Sequence, residues 1–128
     1  MIKTAGKTFQ QVLDEITDKL EAQGKRCMDV YSCLYSDGEG NHCAVGWLLS
    51  ETVTLRGDAK TLTETYPDLG ENDAFIREYT TELTYVQAIH DGACSYSKES
   101  LNKMGYNVER LFQLCNTPEF RKVEEQYS

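Results

Sequence analysis

A chain of 128 residues with 40% hydrophobic and 27% charged side chains has the make-up of one compact globular domain. That composition excludes a collagen, a low-complexity segment and a disulfide-dense miniature scaffold; a chain this long buries roughly two thirds of its unfolded surface without needing a disulfide or a metal. The net charge of -8 has its whole excess in the middle, because residues 1–30 carry five side chains of each sign, residues 101–128 four of each, and residues 31–100 twelve acidic against four basic.

The N-terminal Met1-Ile2-Lys3-Thr4-Ala5-Gly6-Lys7 lacks the apolar core of a signal peptide, and no stretch approaches the ~20 apolar residues of a membrane-spanning helix. The expectation is a cytoplasmic protein with no membrane association. Five cysteines at irregular spacing (27, 33, 43, 94 and 115) are then expected to be free thiols.

From Thr8 to Gln23 the residues Phe9, Val12, Leu13, Ile16 and Leu20 recur at the helical period, and Gly24 follows as a stop, which predicts an amphipathic helix. Asp29 to Tyr35 is rich in β-branched and aromatic residues and leads into the turn formers Ser36 to Asn41, which predicts a strand entering a tight turn. His42 to Leu49 leaves that turn as an apolar run that periodicity assigns neither to a returning strand nor to a short helix. Ser50 to Gly70 reads as a loop with one helical turn near Ala59 to Leu62. Asn72 should cap a long helix with Phe75, Ile76, Tyr79, Leu83, Val86 and Ile89 inward, ending at Asp91-Gly92. Ser95 or Ser97 should cap the next helix, to about Met104, with a break at Gly105-Tyr106-Asn107. A further helix should run from Val108 to Cys115, and a last one should begin at Thr117-Pro118.

These elements predict an α+β fold: a single, mainly helical domain over residues 1–128, three or four helices packed around a short β-hairpin-like unit from Val30 to Leu49. Positions 9, 13, 16, 20, 34, 45, 48, 75, 79, 83, 86, 108, 111 and 112 should form its core.

Three constellations could carry chemistry. Asp37-x-Glu39-x-Asn41 begins like a calcium loop, but the twelfth position, where a bidentate carboxylate is needed, is Leu48. Cys33, Cys43, His90 and Cys94 offer a zinc-like donor set, although the spacing is not that of a zinc motif and buried thiols are the ordinary explanation. Cys43, His90 and Asp91 would supply a nucleophile, a base and a carboxylate, yet adjacent His and Asp orient each other poorly and no motif supplies an oxyanion stabiliser. No metal and no cofactor are therefore expected, and catalytic residues are named only in this alternative. A pocket for a nucleotide-like signal would need basic groups, for which Arg56, Lys60 and Arg77 are the candidates in the middle of the chain.

Cys33-Leu34-Tyr35, the turn Asp37-Gly38-Glu39-Gly40, the segment Cys43-Ala44-Val45-Gly46-Trp47-Leu48-Leu49 and the later Val86-Gln87-Ala88-Ile89-His90-Asp91 follow one another in an order that resembles a family of small, uncharacterised bacteriophage and prophage proteins. The likeness covers roughly residues 27–92, with Trp47, Leu49 and Val86 departing from the pattern. It implies a phage accessory protein that binds and inhibits a host protein, antiviral-defence components included, rather than one that turns over a substrate.

The residues agree with that class. Twelve carboxylates in the middle repel phosphate backbones, so no direct nucleic-acid binding is expected, and they would attract a host protein with a basic surface. Asp37, Glu39, Glu51, Asp58 and Glu64 are the candidate partner-binding residues within the acidic segment 37–99. Mimicry of DNA is a minor branch, since a duplex carries one charge per ~1.7 Å. Eight tyrosines add candidate contact surface and leave room for a homodimer.

Overall fold

Thr8 and Gly24 bracket the first helix, α1 (Phe9–Gln23), as the sequence predicts. The Thr8 hydroxyl accepts from the Gln11 N–H at 3.1 Å while the Gln11 side chain accepts from the Thr8 N–H at 2.8 Å, a capping box that satisfies two N-terminal donors at once. Gly24 closes the other end with φ 76°, a left-handed conformation that glycine adopts without steric cost. The stripe Phe9, Val12, Leu13, Ile16 and Leu20 is buried, each side chain contributing about 1.5–3 kcal/mol relative to exposure.

The computed structural model describes residues 1–27, 40–49 and 59–120. After α1 come a four-residue 3-10 helix (Val45–Leu48) and five more α-helices: α2 (Ala59–Thr65), α3 (Asp73–Glu78), α4 (Thr80–Gly92), α5 (Ser95–Lys103) and α6 (Glu109–Cys115). A further helical turn covers residues 118–120, next to the expected start at Thr117-Pro118. The centre of the packing is α4, against which α2, α3, α5, α6 and the 3-10 helix are laid, with α1 also against α6. The buried side chains form one cluster to which every one of these helices contributes.

The expected α+β architecture is corrected by this arrangement. Among the described residues there is no strand, and the second arm of the expected hairpin is the 3-10 helix. The expected first strand, the turn to Glu39 and Leu34 lie outside the described residues. The reason for the 3-10 conformation is visible in where the backbone groups of residues 42–49 find partners. A hairpin would pair them with a neighbouring strand; here His42 carries a single β-bridge, and for residues 45–49 side chains and local bonds take that place. The Gln23 amide clasps His42 at both its N–H (2.8 Å) and its C=O (3.0 Å). The Val45 N–H donates to Gln87 Oε1 (3.1 Å), the Gly46 N–H to Cys43 Sγ (3.3 Å) and the Leu49 N–H to the Gly46 carbonyl (3.1 Å). The carbonyls of Trp47 and Leu48 accept from the Ile2 N–H (2.8 Å) and Asn72 Nδ2 (2.9 Å).

The expected continuous helix from Asn72 to Gly92 is two helices that meet at Tyr79 (φ -106°, ψ 27°). The Thr80 hydroxyl donates to the Ile76 and Arg77 carbonyls, competing with the helical ladder. The bend brings Phe75 and Tyr79 together over Phe9, with ring centroids 6.1 and 5.0 Å from the Phe9 ring. At the far end of α4 the left-handed residue is Ala93 (φ 50°), one position beyond the expected Gly92.

Candidate functional site

Asn72 stands where a helix cap was expected, but its side chain does something else. It is buried, and its Oδ1 accepts from the Thr4 N–H (3.1 Å) and hydroxyl (2.8 Å) while its Nδ2 donates to the carbonyls of Ile2 (2.7 Å) and Leu48 (2.9 Å). All four of its hydrogen-bonding positions are filled, so one side chain fastens the N-terminal segment to the start of α3 and to the 3-10 helix. Between the N-terminal segment and α3 lies an open cleft of about 310 Å³ lined by Thr4, Ala5, Lys7, Glu71, Ala74, Phe75, Glu78 and Tyr79.

Aromatic rings form its apolar wall. Phe75 and Tyr79 lie with centroids 4.7 Å apart and planes 47° apart, and Tyr106 backs them through Phe9 at 4.7 Å. Carboxylates form its rim: Glu71 and Glu78 are exposed and take part in no ion pair among the described residues. The ammonium of Lys7 is answered elsewhere, at 2.9 Å from both carboxylate oxygens of Glu15. The negative field reaches Tyr106, whose phenol is pushed up by burial first and then by Glu82, Tyr79 and Glu78.

Next to this cleft Arg77 is engaged at each of its three side-chain nitrogens. It donates to Asp73 Oδ1 (2.9 Å), the Thr63 carbonyl (3.0 Å) and the Tyr66 carbonyl, so it closes the C-terminal end of α2 onto α3. The Leu69 N–H, and after it the Arg77 guanidinium, hold the Asp73 carboxyl below the usual carboxylate range despite some desolvation. Residues 62–92 therefore carry seven carboxylates and a single guanidinium that is already bound, and Glu64, Asp68, Glu71, Glu78 and Glu82 make no ion pair among the described residues.

Of the residues singled out from sequence for partner binding, Glu64 is exposed on α2, while Asp37, Glu39, Glu51 and Asp58 lie outside the described residues. Cys33 lies outside them too, so of the zinc-like set only Cys43, His90 and Cys94 are placed, and among the described residues no three His, Cys, Asp or Glu side chains converge as metal ligands. Arg56 and the side chain of Lys60 also fall outside.

The structure does bring Cys43, His90 and Asp91 into one neighbourhood, around Gln87. Gln87 holds Val45 through Oε1 and donates through Nε2 to Asp91 Oδ1 (2.9 Å). His90 Nδ1 lies 2.8 Å from the same Asp91 oxygen, so adjacent His and Asp do orient each other here, in the last turn of α4. Both the Cys43 thiol and the His90 ring are fully buried, and the thiol serves as acceptor for Gly46. The arrangement fastens the 3-10 helix to α4 and opens no path to solvent at either group. Arg26 extends this buried polar region, donating to the Phe120 carbonyl at 2.6 Å and to the Asp91 carbonyl. Beside it the Cys115 thiol is pushed up to about 12 by desolvation, with Arg26 opposing. Cys94, half-exposed ahead of α5, is lowered by the Ser97 hydroxyl first and then by the Ser97 N–H.

The cleft was missed from sequence because Phe75 and Tyr79 read as core. The available signal was Glu71, Phe75, Glu78, Tyr79 and Glu82, which recur at helical spacing and put carboxylates and rings on one stripe. No family model, no curated protein and no solved structure matches the chain. No helix among the described residues is long and apolar enough to cross a membrane.

Proposed function

We propose that the chain is a small, non-enzymatic binding protein of the phage accessory kind, which acts in the host cytoplasm by docking an acidic face onto a basic surface of a host protein and inhibiting it. The observation that carries this reading is the run of carboxylates, unpaired among the described residues, on α2, the loop after it, α3 and the start of α4, next to an arginine each of whose nitrogens is already bonded. Carboxylates that pair with no cation among the described residues attract a basic partner and steer its approach. The same lining is unsuited to a phosphate-bearing signal, since two carboxylates flank the cleft and its ammonium is bound to Glu15.

Affinity capture from bacterial lysate at low and moderate salt tests this. The expected result is one stoichiometric partner whose recovery falls as salt rises, and falls again when Glu64, Asp68, Glu71, Glu78 and Glu82 are neutralised together. A partner retained equally in all these conditions would contradict the acidic-face reading.

A further inference from the structure

Taking the acidic docking face as given, we propose that the cleft between residues 4–7 and α3 is the seat of a single arginine side chain presented by the partner. The inference rests on three features that coincide there. The apolar wall is made of two rings, the largely buried Phe75 and the half-buried Tyr79, so a planar cation entering the cleft meets aromatic surface. Glu71 and Glu78 stand at its rim and form no ion pair among the described residues. The cleft, at about 310 Å³, is at the small end of ligand sites and suits one side chain better than a nucleotide or a folded loop.

Charge complementarity requires a cation, and the combination of rings with carboxylates selects guanidinium over ammonium. Guanidinium is flat and weakly hydrated, stacks on aromatic faces and offers paired N–H donors to a carboxylate, whereas ammonium is a compact, strongly hydrated point charge. Among the described residues Lys7 is the one cation that lines the cleft, and its pairing with both oxygens of Glu15 draws its charge out of competition. The Asn72 bonds to Thr4 and Ile2 hold the opposite wall in place, so the seat is preformed.

The test is titration of the isotope-labelled full chain with a short capped peptide carrying one arginine, compared with the same peptide carrying lysine or the neutral isostere citrulline, followed by NMR. The expected result is saturable shifts centred on Ala5, Phe75 and Tyr79 with the arginine peptide, binding about tenfold weaker with lysine and no saturation with citrulline. Glu71→Gln with Glu78→Gln, both exposed and in no ion pair among the described residues, should weaken the arginine peptide about tenfold without changing the circular dichroism spectrum. Equal response to arginine and lysine, with shifts spread over Glu64, Asp68 and Glu82, would overturn the arginine seat and leave the acidic-face reading standing. Absence of any saturable shift at the cleft would also overturn the seat. The acidic-face reading fails separately, through lysate capture that ignores both salt and charge neutralisation.

Discussion

Asn72 fills four hydrogen-bonding positions with partners from two other segments of the chain, and its removal would leave the buried Thr4 groups and two carbonyls unanswered. Because each orphaned buried group costs roughly 1–3 kcal/mol, with partial relief by relaxation, Asn72→Ala should lower stability by about 3 kcal/mol. Urea unfolding would show this as a lower midpoint at unchanged slope, and a loss below about 1 kcal/mol would mean that the fastening is incidental. Cys115 makes a second prediction at this scale. Burial raises its folded value from an ordinary 9.0 to about 12, so below 9.0 both states keep the proton and stability is complete. Above 9.0 the unfolded chain releases the proton and the folded chain does not, so stability falls by roughly 1.4 kcal/mol per pH unit until the folded value is reached. Subtracting the alkaline unfolding curve of Cys115→Ala should isolate that slope; identical curves would show the thiol is not held neutral by the fold. The four-way use of Asn72 was not legible in the sequence, because it depends on partners 24 to 70 residues away that only the packed chain brings near.

At the scale of elements, the legible ones carried their signals locally. Thr8 with Gln11, Gly24, Gly105 and the stripes on α1 and α4 are short-range patterns, and the helices form where those patterns put them. Of the positions expected in the core, the described ones are buried except Tyr79 and Phe112, which are half-buried at its margin. Errors arose where distant side chains decide the backbone. Val45–Leu48 form a 3-10 helix because Gln87 and Asn72 answer polar groups within it while Gln23 holds His42 ahead of it, and α3 parts from α4 because the Thr80 hydroxyl and the rings around Phe9 favour a bend. The end of α4 offers a direct check on this view. Ala93 sits at φ 50°, where a Cβ is unfavourable, and Gly92 before it stays helical. Ala93→Gly should therefore stabilise the protein by about 0.5–1 kcal/mol, the relief of strain exceeding the entropy of the added glycine. A thermal midpoint that falls in this variant would show that the left-handed residue is not strained.

For the whole molecule, charge distribution matters more than net charge. The N-terminal part balances its signs, with Lys7 on Glu15 and Arg110 of α6 on Asp18 of α1, and α5 is tied to α6 by Lys98 on Glu109 at 2.8 Å. The segment from α2 to the start of α4 has one guanidinium, bound to Asp73 and two carbonyls, and places Glu71 and Glu78 at an aromatic cleft. The acidic excess was legible as a count along the chain; its concentration beside Phe75 and Tyr79 was not, because it depends on the bend at Tyr79 and on the N-terminal segment folding back to Asn72. If this face is the working surface, ionic strength should control association chiefly through the on-rate, exposed charges being screened over about 8 Å at physiological salt. The most direct measurement is calorimetric titration of the captured partner at two salt concentrations, with the wild-type chain and with Glu64→Gln, Asp68→Asn, Glu71→Gln, Glu78→Gln and Glu82→Gln combined. The account predicts wild-type affinity that falls with salt, and a variant at least about tenfold weaker at low salt with little salt dependence left. Equal affinities with the same salt dependence would contradict it.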